Sequence, residues 1–513
     1  MAAVLLFAHW MVDQIDLATA GTTPPLRDKA LDRSLLLGVA WTAGMKWSTQ
    51  ILSWASTLLV ARLLTPTDYG LFGMAMVFQG FLAPIYDLGI GAAIIQRRDL
   101  TEDEIARLGS LTLLYGAGFA VLTIALAPPI AAFYREPAVR WILVVLALAS
   151  AIASFQILPR TILARRMQFR TIALIDGVGA LSQTIVTVAL ALAGYRYKAL
   201  VYGAAFSAVV STGVALAAAS HRYAWPRRPA QLRGAMSYGW HVALSRIGWY
   251  IYTNADFAVV GRVLGKAALG AYSFGWTIAT IPVDRVASLV GRVIPSVFAS
   301  IQDNVPAMRR YCLGITEGLA FVVLPLAVGL AVTADDFVRV VLGDRWSGAI
   351  GPLRLLAFYG GFRSLATVVS PVLVATGHAR RNLQYTLLAT AVLPPLFYVG
   401  TRWGPAGVAA AWMVGFPLVS LPAYAFTLRL LDTSAAAYLR ALWPALSASI
   451  VMAGTILLTR LAAAEWPVGA RFAAETLVGA LTYAGVVLAL HRRRLEVFRA
   501  LLRAARGGAE GDG

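Results

Sequence analysis

Residues 55–81 read ASTLLVARLLTPTDYGLFGMAMVFQGF, two apolar segments separated by a short polar turn. The two segments extend to about residues 35–63 and 71–95, and the turn is Thr65-Pro66-Thr67-Asp68. About 20 helical residues are enough to cross a hydrocarbon core of about 30 Å. The stretch from Ala43 to Gln96 therefore predicts two membrane-spanning helices joined as a hairpin.

A second copy of this hairpin begins 200 residues further along the chain. With that offset and no gap, identical residues are found at these positions of the first copy: Ala43, Ile51, Ala55, Val60, Arg62, Leu64 and Gly70. A sequence this rich in Ala, Leu, Val and Gly gives only about two or three such matches by chance. The chain is therefore predicted to consist of two similar halves.

The composition is that of a polytopic helical membrane protein. Of the 513 residues, 59% are hydrophobic and 13% are charged, and the mean hydropathy is +0.70. Apolar runs of about 20 residues recur along the chain, unlike the short alternating segments of a transmembrane barrel. A sequence of this kind excludes a set of soluble domains.

Fourteen spans are predicted, an all-α architecture of two six-helix lobes followed by two further helices. The spans lie at about residues 35–62, 70–95, 108–133, 139–159, 171–194, 199–220, 237–261, 268–297, 312–334, 349–376, 383–401, 405–428, 438–460 and 469–490. The second hairpin is then spans 7 and 8, and an offset of six spans gives the two lobes the same orientation in the membrane. Parallel repeats of this kind are typical of transporters that work by alternating access.

The predicted parts of the chain follow from these spans. They are an N-terminal extension (1–34), an N-lobe (35–220), a cytoplasmic linker (221–236), a C-lobe (237–430), spans 13 and 14 (431–490) and a basic cytoplasmic tail (491–513). All connections between spans are short. We therefore expect the function to reside in the membrane bundle.

The net charge of +19 indicates membrane orientation and not a nucleic-acid partner. Lys and Arg concentrate in alternate connections and near both ends of the chain, and the positive-inside rule places that set, with both termini, in the cytoplasm. Such residues also attract anionic lipids. The single cysteine, Cys312, and the lack of metal-like Cys/His spacing predict no internal disulfide, metal or cofactor.

Charged residues within the spans indicate the predicted site. Because a charge at mid-bilayer costs about 2.5–3.5 kcal/mol, such residues usually face the interior of the bundle. Lys46 of span 1 aligns with Arg246 of span 7, and span 8 contributes Arg285 and Arg292. These four cations predict a cavity for an anionic substrate, since arginine forks bind pyrophosphate well.

The alternative to a substrate cavity is that the cations of the spans form structural ion pairs with the acidic residues of the spans. Further candidates for the cavity or for ion coupling are Asp87, Asp256 and Arg363.

Three stretches carry a resemblance to a known family. They are ARLLTPTDYGLFGMAMVF (61–78), DLGIGAAIIQRRDLTEDE (87–104) and ALGAYSFGWTIATIPVDRVASLVGRVIPSVFASIQDN (268–304). Over about residues 35–490 the sequence resembles the polysaccharide-export flippases of the multidrug/oligosaccharidyl-lipid/polysaccharide superfamily. The resemblance implies transfer of polyprenyl-pyrophosphate-linked sugar repeat units, such as those of O-antigen, exopolysaccharide or capsule, across a bacterial cytoplasmic membrane.

Three functions remain open at this point. The first is that flippase, with the lipid-linked oligosaccharide and membrane lipids as partners; coupling to Na⁺ or H⁺ and contact with a polymerase or export machinery are left open, and a monomer is sufficient. The second is an ion-coupled multidrug exporter using Asp87 or Asp256, which the excess of cavity cations disfavours. The third is a membrane polysaccharide polymerase or ligase, which the short connections disfavour. The sequence therefore favours a transporter over an enzyme.

Overall fold

The computed structural model describes residues 57–87, 91, 94–95, 100–219, 221–224, 250–251, 253–291 and 294–492. Every regular element in these residues is helical, and nine segments are long and apolar enough to cross a membrane. The prediction of an all-α polytopic membrane protein is confirmed, and the count of fourteen spans stays a prediction. Most of the first and seventh predicted spans lies outside the described residues.

The described residues form two compact units, one ending at Ser273 and the other starting at Phe274. In the first unit, residues 57–63 and 253–263 are helical. Its other helices are α1 (Pro66–Asp87), α2 (Glu102–Tyr134), α3 (Pro137–Ser154), α4 (Ile157–Arg165), α5 (Phe169–Leu192) and α6 (Tyr197–Ala218). Helix α7 (Lys266–Gly291) begins in this unit and continues into the second.

The second unit holds eight further α-helices. They are α8 (Ile294–Ser300), α9 (Val305–Phe337), α10 (Ile350–Ala366), α11 (Val369–Ala375), α12 (Ala379–Gly400), α13 (Gly404–Leu430), α14 (Ala435–Ala462) and α15 (Val468–Leu490). Short helical turns at Val338–Leu342, Asp344–Ala349 and Thr401–Trp403 lie between them. The predicted division into lobes and linker is left as a prediction.

Two predicted spans each consist of two helices. The span predicted at 139–159 is α3 followed by α4, and that predicted at 349–376 is α10 with α11. Hydrophobicity does not reveal these breaks, because apolar residues continue through them. At the first break, the N–H of Phe155 bonds back to the carbonyl of Ile152 at 3.2 Å, which ends α3 in a tighter turn.

Local sequence fixes the ends of the long helix α2. Thr101 and Glu104 form a capping box, in which the Thr101 N–H donates to Glu104 Oε2 at 2.9 Å and the Glu104 N–H donates to Thr101 Oγ1 at 3.3 Å. At the other end Arg135 adopts a left-handed conformation with φ of 57°, and Pro137 starts α3 directly afterwards. The α2–α3 connection is therefore a tight reversal.

Close packing in the second unit depends on aromatic rings and glycines. Trp412 of α13 is fully buried, and its ring lies 4.7 Å from the rings of both Tyr359 and Phe397. A Cβ on either Gly400 or Gly407 would overlap the backbone of the other residue. The α12–α13 hairpin therefore needs glycine at both positions for its backbones to approach each other.

Candidate functional site

Around their breaks, where the structure describes both, the two copies of the hairpin detected in the sequence have the same local structure. In the first copy the helix at 57–63 breaks at residues 64 and 65 before α1 starts, and in the second the helix at 253–263 breaks at 264 and 265 before α7 starts. The closing hydrogen bonds correspond, since Leu64 N–H donates to Val60 O and Leu264 N–H donates to Val260 O, both at 2.9 Å. The offset of 200 residues is therefore preserved in the structure of these segments.

The two breaks are made with different residues. In the first copy Thr65 caps α1, its hydroxyl donating to Asp68 Oδ2 at 2.6 Å while the Asp68 N–H returns to Thr65 Oγ1 at 3.3 Å. Pro66 is the first helical residue, where its lack of an N–H has no cost. In the second copy Gly265 takes a φ of +85°, a conformation that glycine adopts without strain. The predicted polar turn at 65–68 is therefore mostly the first turn of α1.

The starting turns of α1 and α7 cross each other at two glycines. A Cβ on Gly70 would overlap the carbonyl of Lys266, and a Cβ on Gly270 would overlap the carbonyl of Pro66. Gly270 is the equivalent of Gly70 in the second copy, and Pro66 is the equivalent of Lys266 in the first. The two contacts are therefore equivalent, and the crossing has the two-fold relation of the sequence repeat. One turn further along, Gly73 faces Ser273, its equivalent in the second copy.

Two polar anchors fix this crossing to neighbouring connections. Asp68 of α1 is almost fully buried, and its Oδ1 accepts a hydrogen bond from the backbone N–H of Tyr197 at 3.1 Å, at the start of α6. Lys266 of α7 forms an ion pair with Glu136, 2.9 Å from its Oε1, in the α2–α3 connection. The ends of α1 and α7 are thus each tied to a different hairpin of the first unit.

Asp256, one of the predicted ion-coupling residues, is fully buried in the first unit. Its Oδ2 accepts a hydrogen bond from the Tyr272 hydroxyl at 2.6 Å, and the Tyr272 ring stacks edge-on against Phe257 at 5.4 Å. The carboxylate is therefore held by a neutral donor on α7. The role predicted for Asp256 in the cavity or in ion coupling stays a prediction.

The other predicted site residues are located only in part. Lys46, Arg246 and Arg292 lie outside the described residues. Arg285 belongs to α7 and Asp87 is the last residue of α1, but their side chains also fall outside what is described. Arg363 lies half-buried in the last turn of α10, in the second unit. The common cavity for these cations therefore stays a prediction.

A buried ion-pair network in the second unit was not predicted from the sequence. Arg471 of α15 binds Asp336 of α9 through two hydrogen bonds of 2.8 and 2.6 Å. Arg460 of α14 binds the fully buried Glu475 at 2.8 and 3.1 Å and also reaches the carbonyl of Val332 at 2.8 Å. The sequence does show charged residues at the ends of three apolar spans, which indicate that ion pairs could form there. Their spacing does not indicate which of them pair.

The network connects the last two helices to α9. Towards the other end of α15, the Tyr483 hydroxyl donates to the carbonyl of Phe321, in the middle of α9, at 2.7 Å. Bidentate arginine–carboxylate pairs are strong and specific in geometry, so they fix the register of the α14–α15 hairpin on α9. Within the described part of the chain, no group of three or more His, Cys, Asp or Glu residues is placed to hold a metal ion.

Comparisons with known proteins agree with this architecture. The sequence model of a family described as "Polysaccharide biosynthesis protein" matches residues 59–351. The chain is 30% identical to the teichuronic acid biosynthesis protein TuaB of Bacillus subtilis (strain 168), over 68% of this chain and 73% of TuaB. It is 24% identical to the succinoglycan biosynthesis transport protein ExoT of Rhizobium meliloti (strain 1021), over 95% of this chain and 99% of ExoT.

A solved structure shares the fold. The lipid II flippase MurJ in its inward closed conformation superimposes with a TM-score of 0.73 at 14% sequence identity. The match covers 88% of this chain and 99% of that protein. At this level of identity the likeness concerns the path of the chain and not the residues that bind a substrate.

Proposed function

The chain belongs to the family of polysaccharide biosynthesis proteins, and on that premise we propose that it moves a lipid-linked oligosaccharide across the cytoplasmic membrane. The substrate would be a sugar repeat unit on a polyprenyl pyrophosphate, carried from the inner to the outer face without covalent change. A related chain of nearly the same length is named as a transport protein, and the fold is that of a lipid II flippase. Both similarities support transport as the function.

The observation that carries the proposal is the two-fold crossing of α1 and α7. Transport by alternating access needs two similar parts whose contact closes one side of the membrane and opens again. The reciprocal packing at Gly70 and Gly270 supplies such a contact between the two copies of the repeat. The positive-inside rule assigns this end of α1 and α7 to the outer face, so the crossing would be the outer closure.

We propose Lys46, Arg246, Arg285 and Arg292 as the cations that attract the pyrophosphate. A cavity with excess positive charge and little water strengthens charge-assisted hydrogen bonds to phosphate oxygens. Asp87, Asp256 and Arg363 are further candidates, with Na⁺ or H⁺ as coupling ions. On this proposal the protein spans the inner membrane with both termini in the cytoplasm, requires no partner subunit for a complete pathway, and delivers its substrate to a polymerase or export machinery.

Reconstitution tests the function. Vesicles containing the full-length protein are supplied with a fluorescent polyprenyl-pyrophosphate oligosaccharide, and exposure of the sugar on the far leaflet is measured. We expect translocation of an unchanged substrate, and near-complete loss of it in the single variants Arg246→Gln and Arg285→Gln. Arg339→Gln, which removes an exposed arginine 4.0 Å from Asp335, is the control and should retain activity.

The outcomes separate the three functions considered above. Chain growth in the vesicles would indicate a polymerase or ligase, and efflux of a cationic dye without sugar transfer would indicate a drug exporter. Full translocation by both arginine variants would exclude the proposed cations while leaving the flippase function in place. Absence of translocation by the unmodified protein, in vesicles where its fold is intact, would exclude the flippase itself.

A further inference from the structure

A cavity of about 1020 Å³ opens in the first unit, away from the crossing of α1 and α7. Its walls are the first turns of α2, the short helix α4 and residues 221–224, which follow α6. The sequence assigns all three of these segments to the cytoplasmic side, because they belong to the connections rich in Lys and Arg. The cavity therefore lies at the predicted inner interface of the membrane.

The cavity is apolar at its floor and basic at its rim. Leu158 and Ile162 of α4 and Ile105 of α2 belong to a cluster of apolar side chains that continues into the protein. Arg165 and Arg166 at the end of α4 and Arg222 from the following segment line the rim. This combination matches an amphiphile, with an anionic head at the rim and apolar atoms below it.

Positive charge is in excess at the rim. The lining includes two carboxylates, those of Glu102 and Asp103, but Asp103 is already paired with Arg107 at 2.6 Å on its own helix. In the part of the chain that the structure describes, Arg166 and Arg222 form no ion pair. Two exposed guanidinium groups therefore face the opening, and their planar forks suit the oxygens of a phosphate.

The wall formed by residues 221–224 is fixed to its surroundings. The N–H of Ala224 donates to the carbonyl of Ala106 at 3.3 Å, and the Tyr223 hydroxyl donates to the carbonyl of Phe155 at 3.1 Å. The His221 and Tyr223 rings stack edge-on at 5.1 Å. Burial raises the pKa of Tyr223 to about 12, so its hydroxyl keeps the proton it donates. Residues 221–224 are therefore hydrogen-bonded both to α2 and to the short connection that leads into α4.

We propose that this cavity is a binding site for the phosphate group of an anionic phospholipid, formed by residues other than the cations assigned above to the transported substrate. Basic residues beside membrane spans often do no more than set orientation, and they need no cavity for that role. Here they surround an open cavity with an apolar floor. Basic pockets of this kind on the cytoplasmic side of a helical bundle are suited to anionic headgroups.

The test measures lipid-dependent stability of the full-length protein. The protein is placed in phosphatidylcholine nanodiscs with increasing fractions of phosphatidylglycerol, and the midpoint of thermal unfolding is recorded, because a ligand of the native state raises it. A second series adds inorganic phosphate to nanodiscs of phosphatidylcholine alone. We expect the midpoint to rise with phosphatidylglycerol and not with inorganic phosphate.

Two double variants of equal charge change provide the control. Arg166→Gln with Arg222→Gln removes the exposed rim cations, and Arg380→Gln with Arg429→Gln removes two exposed arginines elsewhere on the predicted cytoplasmic side. Since each basic residue at an anionic surface contributes about fivefold in affinity, the rim variant should need about 30-fold more phosphatidylglycerol for the same rise. Unchanged midpoints in pure phosphatidylcholine show that both variants fold.

Three outcomes would overturn the proposal. An equal loss in both double variants would show that only net surface charge matters. A rise with inorganic phosphate as large as that with phosphatidylglycerol would assign the site to free phosphate. A phosphatidylglycerol response that the rim variant leaves unchanged would remove the cavity from lipid binding. None of these outcomes depends on whether the protein transports an oligosaccharide.

Discussion

The substitution Gly70→Ala should open the crossing of α1 and α7. Its new methyl group would overlap the carbonyl carbon and oxygen of Lys266, which are backbone atoms that cannot rotate away. Overpacking of this kind typically costs about 1–3 kcal/mol, which weakens the closed contact by about 5- to 150-fold. Because the contact is reciprocal, Gly270→Ala should have a similar effect through the carbonyl of Pro66.

The matched control is Gly73→Ala, one turn away on the same helix. There a Cβ would lie 3.6 Å from the nearest atom of Leu269, which is an ordinary van der Waals distance. Both substitutions increase helix propensity by the same amount, about 1 kcal/mol, so this term cancels in the comparison. The difference between the two variants therefore reports the clash alone.

The assay uses one reporter thiol at the crossing. Cys312 is buried and is replaced by alanine, and Ser273→Cys then places a thiol of similar size next to the contact. Labelling of intact cells with a membrane-impermeant maleimide should be about 5- to 150-fold faster in Gly70→Ala than in the parent or in Gly73→Ala. Equal rates in the two alanine variants would refute the assignment of the glycine crossing as a closure.

Three further substitutions test the packing that supports the crossing and the last two helices, with thermal unfolding as the measurement in each case. Asp68→Ala removes the carboxylate that completes the cap with Thr65, worth about 1 kcal/mol, and the acceptor for the Tyr197 amide, so it should destabilise the protein clearly more than Asp68→Asn does; equal loss would contradict the capping role. Arg471→Gln removes the two charged hydrogen bonds to the buried Asp336 carboxylate and leaves it with Arg460 at 4.0 Å, so it should cost about 1.5–3 kcal/mol, and an unchanged midpoint would show that the network does not hold the α14–α15 hairpin. Gly407→Ala should cost about 1–3 kcal/mol because its methyl group meets the backbone of α12, whereas Gly454→Ala faces open space inside α14 and should stabilise the protein by up to about 1 kcal/mol through helix propensity; similar midpoints would contradict close packing of α12 and α13.

The helical class and the repeat could be predicted because both depend on patterns along the chain. Apolar runs of span length require helices in a membrane, where no other open structure satisfies the backbone. The identity of Gly70 and Gly270 indicated equivalent positions, and the structure gives them equivalent contacts. Their direct packing was not predicted, since sequence similarity shows that two segments have the same structure but not that they touch.

The polar contacts between distant segments could not be predicted for a different reason. The sequence predicts Asp68 as a turn residue, because the spacing of residues indicates only its local role, the cap with Thr65. Its second bond, to the amide of Tyr197, joins residues that are 129 positions apart. The pairing of Arg460 with Glu475 and of Arg471 with Asp336 has the same origin. It depends on how three helices align, and apolar helices carry little periodic signal for that alignment.

The two anchors of the crossing differ in a way that the repeat does not impose. Position 68 is Asp in the first copy and position 268 is Ala, while position 66 is Pro and position 266 is Lys. The Asp68 carboxylate is 4% exposed and accepts from a backbone amide, so solvent and salt screen this contact little. The Lys266 ammonium is 38% exposed and pairs with a side chain, so this contact is weak and screened. The α1 end is therefore the more firmly held, and an opening of the crossing would require less energy if the α7 end moves.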